Sequence, residues 1–422
     1  MNSKGAGAMS EANKSALVPR LRFPEFREAE EWRLEPLGSL AKRSIAKNTN
    51  GEHARVLTNS AEFGVVDQRD YFEKDIANQG SLEGYYIVEK GDYVYNPRIS
   101  TSAPVGPVSK NNVGVGVMSP LYTVFRFFSS DNDFFAYYFK SAHWHYYMRR
   151  ASSTGARHDR MSITNDDFMG LPLPVSNPKE QQKIADCLSS LDELIAAETQ
   201  RLDALKTHKQ GLLQQLFPRA GETVPRLRFS EFRKAGEWKE KALGEAATFY
   251  NGRAYAKEEL LERGKYTVIR VGNFFTSDKW YYSDLELDDS KYCDDGDLLY
   301  AWSASFGPRI WRGGKSIYHY HIWKVVENTG VSKEFLFVAL DIETERMKAR
   351  SANGIGMFHI TKGTIESWMS VFPALPEQKK IADCLSSLDD LITAQSQKID
   401  ALKIHKKSLM QQLFPVLDEV QV

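Results

Sequence analysis

The side chains best suited to chemistry in this chain are cations gathered on two loops. The stretch "MRRASSTGARHDRMSIT" (148–164) carries Arg149, Arg150, Arg157, His158 and Arg160 on a Gly- and Ser-containing segment after a helical patch. At the matching place in the second half of the chain, "RMKARSANGIGMFHIT" (346–361) carries Arg346, Lys348, Arg350, Asn353 and His359. "NPRISTSAPVG" (96–106) adds Arg98, and "WSASFGPRIWRGGKS" (302–316) adds Arg309, Arg312 and Lys315. Guanidinium, ammonium, amide and imidazole groups on such loops supply donors for phosphate and base-edge contacts. Any one of these residues is equally well a solvated surface charge. The recurrence of the loop at matching places is what points to nucleic acid.

Signatures of catalysis are missing from the pattern. "YNPR" (95–98) lacks the second proline and the aromatic of the Asn-Pro-Pro-aromatic loop of adenine methyltransferases. No Gly-rich cofactor loop follows a strand at the right spacing, and no phosphate-binding loop of the GxxxxGK type is present. "HWH" (143–145) and "HYH" (319–321) have no carboxylate or cysteine partner at metal-ligand spacing, and period-2 histidines read as cross-strand packing. With no nucleophile and base in one constellation, the chain reads as a recogniser with no catalytic residue and no metal.

The loops sit in two blocks, roughly 39–170 and 245–368, rich in aromatics and in short strand-like runs broken by Gly, Pro, Asn and Asp. Examples are "YYIVEKGDYVYNPR", "KYTVIRVGNFF" and "IYHYHIWKVV". Helical patches fall at 133–150 and 332–350. Each block is therefore expected to be a mixed α+β domain with a curved sheet, not a doubly wound parallel one. The two blocks share faint echoes, such as "MSIT" (161–164) beside "FHIT" (358–361).

What surrounds the blocks is nearly identical. "EQQKIADCLSSLDELIAAETQRLDALKTHKQGLLQQLFP" (180–218) returns as "EQKKIADCLSSLDDLITAQSQKIDALKIHKKSLMQQLFP" (377–415), and "VPRLRFPEFREAEEW" (18–32) returns as "VPRLRFSEFRKAGEW" (224–238). A period of roughly 200 residues is far longer than the 20–50 of a solenoid unit. This is an internal duplication of one module, in which the frame stayed the same and the block diverged.

The long repeat has coiled-coil spacing. Ile184, Leu188, Leu191, Ile195, Leu202, Leu205, Leu212 and Leu216, completed by Glu198 and Lys209, follow 4-3-4-3 steps. Ile381, Leu385, Leu388, Ile392, Ile399, Leu402, Leu409 and Leu413, with Gln395 and Lys406, repeat them. Pro178 and Pro376 open the helices, and Pro218 and Pro415 close them. An ordinary amphipathic core helix would show similar spacing once; polar residues at the same steps of two copies favour mutual pairing. About 33 residues make a rod of about 50 Å. Antiparallel pairing would relate the blocks by a pseudo-twofold axis. The expected fold is thus α+β: two pseudo-twofold-related mixed α/β globular domains joined by two long antiparallel coiled-coil helices. The short repeat reads as an extended strip anchored by Phe23, Phe26 and Trp32 (Phe229, Phe232 and Trp238), with Arg20, Arg22 and Arg27 as packing edges or phosphate contacts.

These features divide the chain into a flexible N-terminal tail (1–17), a first globular domain (18–177), a central helix (178–218), a second such domain (219–375), a C-terminal helix (376–415) and a short tail (416–422). Met9 offers a second possible start. The chain has 422 residues with 55 Lys and Arg against 55 Asp and Glu, a balance that disfavours a free-standing nucleic-acid binder. Cys187, Cys293 and Cys384 give neither disulfide framework nor metal spacing and fit reduced thiols in a cytoplasmic protein. No apolar run of about 18 residues suggests a membrane span.

The plan of two unlike blocks held by two near-identical helices, with "KIADCLSSLDELIAAETQ" opening one helix and "GLLQQLFP" and "SLMQQLFP" closing them, resembles the specificity (S) subunit of type I restriction–modification systems. The resemblance implies that each block is a target recognition domain reading one half of a bipartite sequence in double-stranded DNA. It also implies that the helices set the unspecified gap and dock two modification (methyltransferase) subunits, which carry S-adenosylmethionine. Restriction subunits would add translocation driven by ATP and Mg. Such partners would share phosphate neutralisation, easing the charge balance. The alternative is a structural adaptor whose paired helices recruit protein partners.

Overall fold

In the computed structural model the described residues are 17–71, 79–154, 159–303, 305–351 and 359–417. The chain forms two compact units, one of Met1–Thr199 with Gln397–Val422 and one of Gln200–Ser396. Each unit takes the start of one long helix, the end of the other, and one block. The fold is α+β.

The two long helices span Pro178–Leu216 and Leu375–Leu413, each of 39 residues. Asn177 opens the first: its Oδ1 accepts from Lys179 N–H at 2.9 Å, ahead of a proline whose missing N–H would be an orphan in any case. Both helices stop two residues short of a proline, since the residue before proline disfavours helical backbone.

In the first unit the helices run antiparallel. Lys398 pairs with Glu198 at 2.5 Å, and Lys406, further along its helix, pairs with Asp192, further back along the other. In the second unit Lys209 pairs with Asp389 at 2.5 Å, repeating the Lys406–Asp192 pair with the helices exchanged. Every seam position is buried or half-buried, whereas neighbours such as Glu193, Ala196, Ala197 and Thr199 are exposed. Ile184, Leu188, Leu216, Ile381, Leu385, Ile399 and Leu413 are buried, and Leu191, Ile195, Leu202, Leu205, Leu212, Leu388, Ile392, Leu402 and Leu409 are half-buried. The polar steps Glu198 and Gln395 are buried too, and polar groups in such a seam fix its register.

Each block contains a four-stranded antiparallel sheet with one order. In the first unit it runs Ala41–Arg43, Thr123–Phe127, Tyr93–Tyr95, Val108–Lys110; in the second it runs Ala247–Asn251, Ile322–Glu327, Leu298–Ser303, Ser305–Ile310. Helices cover one face, and the core continues into the long helices: Phe134, Tyr138 and Phe168 pack with Ile184, Leu188, Leu413 and Phe414 in the first unit. Phe335, Leu336 and Leu340 pack with Leu216, Phe217, Ile381 and Leu385 in the second. The start of one helix and the end of the other are therefore sealed into one core.

Beyond this sheet the blocks differ. The first adds two antiparallel strand pairs, the hairpin of Leu57–Ser60 with Gly64–Asp67 and the long-range pair of Tyr86–Val88 with Gly116–Met118. The second adds a four-stranded mixed sheet in which Tyr266–Ile269 runs parallel to Ser316–Tyr318. The helical patch at 332–350 forms one helix, Lys333–Ser351, but the patch at 133–150 breaks into Asp133–Tyr138 and His145–Ala151. Two side chains hold that break: Ser141 Oγ–H donates to Tyr138 O at 2.6 Å and Trp144 Nε1–H donates to Phe139 O at 3.1 Å. Accordingly the histidines of "HWH" flank a helix start and do not pack across strands, whereas His319 of "HYH" is bridged to Arg253 and His321 lies in the turn that leads into Ile322–Glu327.

Candidate nucleic-acid interface

The repeated strip fixes the entry of each block. Arg22 makes two bonds to Glu180, Nε to Oε1 at 2.7 Å and Nη2 to Oε2 at 2.9 Å, and also donates to Ala29 O and Glu30 O. Arg228 repeats this with Glu377, Ala235 O and Gly236 O. These arginines are structural clamps, facing inward. The strip is not fully extended, since Pro24–Phe26 and Ser230–Phe232 form 3₁₀ turns.

The first basic loop leaves the helix His145–Ala151, whose last turn carries Arg149 and Arg150, both exposed; Arg150 lies over the Tyr146 ring at 5.8 Å. The loop returns as the ribbon Ser153–Thr154 with Met161–Ser162. Arg157 and His158 lie outside the described residues. Arg160 is brought against a segment distant in sequence. Met161 N–H donates to Pro97 O and Ile99 N–H to Asp159 O, each at 2.9 Å, which sets Arg98 directly opposite Arg160.

The second block makes a comparable junction, two residues nearer to its helix cap. Ile360 N–H donates to Trp302 O at 3.0 Å, and Ser303 stands opposite His359. Ser303 Oγ and His359 Nδ1 share a hydrogen bond of 2.9 Å. Just downstream, Thr164 and Thr361 each cap a short helix through a 3.1 Å bond, from Asp167 N–H and Thr364 N–H. The echo between "MSIT" and "FHIT" is this cap.

The other cations of the second block divide. Arg346 faces inward, donating to Glu343 at 2.7 Å and to Pro218 O at 2.5 Å, while Glu343 also accepts from Trp368 Nε1 and Ser370 Oγ. Lys348 pairs with Glu345 on the helix surface, and Arg350 stacks over Trp368 at 4.6 Å. Asn353 lies outside the described residues. Arg309 covers the Phe275 ring at 4.8 Å. Arg312, 76% exposed, sits 3.7 Å from Asp295, and Lys315 lies over Tyr292 at 4.2 Å.

Arg312 and Lys315 border an open cleft of about 690 Å³ whose walls include Trp280, Trp311, Tyr282 and Lys265. Trp280 and Trp311 stand 6.1 Å apart, and a Cβ on Gly313 would come within 2.7 Å of the Trp311 ring, so a larger residue there would displace that ring. Sequence reasoning passed over Trp280; the dense "KWYY" beside "WRGGK" is the signal that could have found it.

Histidines complete the surface near the second junction. His321 lies edge-on to Trp302 at 4.9 Å and stacks on His359 at 6.4 Å. Burial, then the neighbouring His321 and Arg270, push His319 down to about 4; burial and then His359 lower His321. In the first unit burial, Arg149 and His143 push His145 down to about 4. These rings are neutral at pH 7 and offer uncharged donors and acceptors.

Two antiparallel helices framing a duplicated α+β block match one family. The profile described as "Type I restriction modification DNA specificity domain" matches residues 64–207 and 235–403, and the chain belongs to that family. Among curated relatives, the type I restriction enzyme MjaVIII specificity subunit of Methanocaldococcus jannaschii is 23% identical over 261 residues, 58% of this chain and 61% of that protein. The putative type I restriction enzyme MjaX specificity subunit of the same organism is 25% identical over 261 residues, 60% of each chain. The match thus spans about three fifths of either relative. A chain from a structure titled for complex assembly and conformational transition of the type I R-M system aligns with TM-score 0.60 at 16% identity, over 91% of this chain and 97% of that one. The crystal structure of a type I S subunit from M. genitalium aligns with TM-score 0.53 at 15% identity, over 94% and 99%. Both share the fold.

Among the described residues no helix is long and apolar enough to cross a membrane.

Proposed function

We propose that this chain is the non-catalytic, DNA-reading subunit of a type I restriction–modification complex, each block reading one half of an asymmetric bipartite target. The observation that carries this reading is the pair of comparable junctions, Arg98–Arg160 and Ser303–His359, both antiparallel bridges just ahead of a threonine-capped helix, with unlike side chains and a register shifted by two residues. A frame that is kept while its presented groups change is what two readers of different sequence need. Arg149 and Arg150 flank the first junction and serve as phosphate or base contacts; Arg309, Arg312, Lys315, Lys348 and Arg350 serve the second block. Arg157, His158 and Asn353 belong to the same loops.

The long helices set the gap between half-sites and dock two methyltransferase subunits. Support comes from Leu194 and Leu391, the same position of the two repeats, which leave 40% and 54% of their surface exposed on otherwise polar helix faces. Exposed apolar groups at equivalent sites suit two copies of one partner. S-adenosylmethionine would be held by those subunits, and ATP and Mg by the restriction subunits, leaving recognition to this chain.

The test exchanges residues 39–170 for the corresponding block of another such chain, co-expressed with its own methyltransferase subunits, and reads the methylome. One half of the target should change and the other persist. A change in both halves, or no sequence-specific methylation by the parent, overturns the reading.

A further inference from the structure

The arginines of the first junction are in an unfavourable arrangement. Directly opposed residues of an antiparallel bridge put their side chains on the same face with Cα atoms about 4.5–5.5 Å apart, and like charges placed so repel each other. Arg98 is exposed and Arg160 half-exposed. No carboxylate pairs with either among the described residues; even neighbouring Asp159 has a buried Oδ1 with no hydrogen-bond partner. A local conflict without internal compensation marks a site completed by something else, and here the missing component is a set of closely spaced acceptors.

Phosphate and the edge of guanine both supply such acceptors. Guanine presents N7 and O6 together in the major groove, and a guanidinium meets both at once. Two facts favour the base. Arg98 and Arg160 stand on a two-stranded bridge between 97–99 and 159–161, and the major groove admits a two-stranded ribbon. The corresponding junction of the second unit, shifted by two residues along its loop, holds a hydrogen-bonded Ser303–His359 pair. The phosphate backbone is alike along any duplex, so a contact serving it has no reason to differ between the units. A contact serving base identity does.

We infer that Arg98 and Arg160 act as a pair reading guanine, at one or two adjacent G·C positions, in the first unit's half of the target. The inference rests on the proposed function and adds the chemical identity of what that junction reads. Lysine at either position keeps the charge but loses the two-pronged match, which separates base reading from phosphate neutralisation.

The experiment expresses the chain with its own methyltransferase subunits in a host free of other such systems. It compares the methylomes of the parent, Arg98→Lys, Arg160→Lys and, for the other unit, His359→Gln, with thermal melts confirming that each variant folds. The parent motif should contain guanine in one half. Each lysine variant should lose roughly 10- to 100-fold of its discrimination at a G·C position there, leaving the other half and the salt dependence of binding unchanged. His359→Gln should alter only the half the lysine variants spare. A bipartite parent motif that both lysine variants copy unchanged overturns the inference and leaves the proposed function standing. A parent that neither binds nor methylates any specific sequence removes both.

Discussion

Arg22 and Glu180, 158 residues apart in sequence, form a two-bond ion pair whose side chains are 6% and 1% exposed. The pair ties the strip before the first block to the helix after it, and Arg228 and Glu377 do the same for the second block. One difference separates them: Trp32 Nε1–H also donates to Glu180, at 3.2 Å, whereas Trp238 Nε1 is buried with no hydrogen-bond partner.

Removing one member of a buried pair strands the other charge and is strongly destabilising, on the order of 3 kcal/mol. Glu180→Gln should lower the unfolding free energy by that order, and Glu377→Gln by about 1 kcal/mol less, because only the former weakens a tryptophan bond as well. Urea denaturation of both variants checks the ranking. Equal losses would show that the Trp32 bond contributes nothing.

The frame was legible because it was written twice. Polar residues at the same heptad steps of both copies announced pairing, and the structure places Lys209 and Lys406 in matching cross-helix ion pairs. The blocks were legible only as to class. Two of the cations have other tasks: Arg22, a packing edge or phosphate contact by sequence, is held by Glu180 from a distant segment, and Arg346, a candidate DNA contact by sequence, is turned inward to Glu343 on its own helix and to the distant Pro218 carbonyl. Spacing cannot reveal a partner more than a hundred residues away. The meeting of Arg98 with Arg160 was hidden for a different reason: a single β-bridge leaves no periodicity. The split of the 133–150 patch depended on Ser141 and Trp144 bonding to backbone carbonyls, local competition that helix propensity does not count.

Acid should weaken both units before their carboxylates titrate. An unfolded histidine takes up its proton near pH 6.5, but His145 and His319 hold theirs off until about 4. Between those values the unfolded chain binds more protons than the folded one, so stability is full above about pH 6.5 and declines as the pH falls towards 4. Melting temperatures between pH 7 and 4.5 should fall for the parent and fall less steeply for His145→Gln and His319→Gln. Identical slopes in all three would mean that these imidazoles titrate normally in the folded chain.

The spacing of the two half-sites should follow the length of the helices. The seam advances in heptads, and an insertion of seven residues preserves which side chains face inward. Because the helices run antiparallel, with Glu198 against Lys398, a heptad added after Glu198 needs a second after Gln395 to keep the ion pairs on both sides in step. Each insertion adds about 10 Å of helix, close to the length of three base pairs at about 3.4 Å each. The doubly extended chain should methylate a target whose halves are unchanged and whose gap is longer by about three base pairs. An insertion in one helix alone should abolish modification, because Lys209 and Asp389 could then no longer meet while Lys398 and Glu198 do. If methylome sequencing of the doubly extended chain returns the parental gap, the helices do not set it.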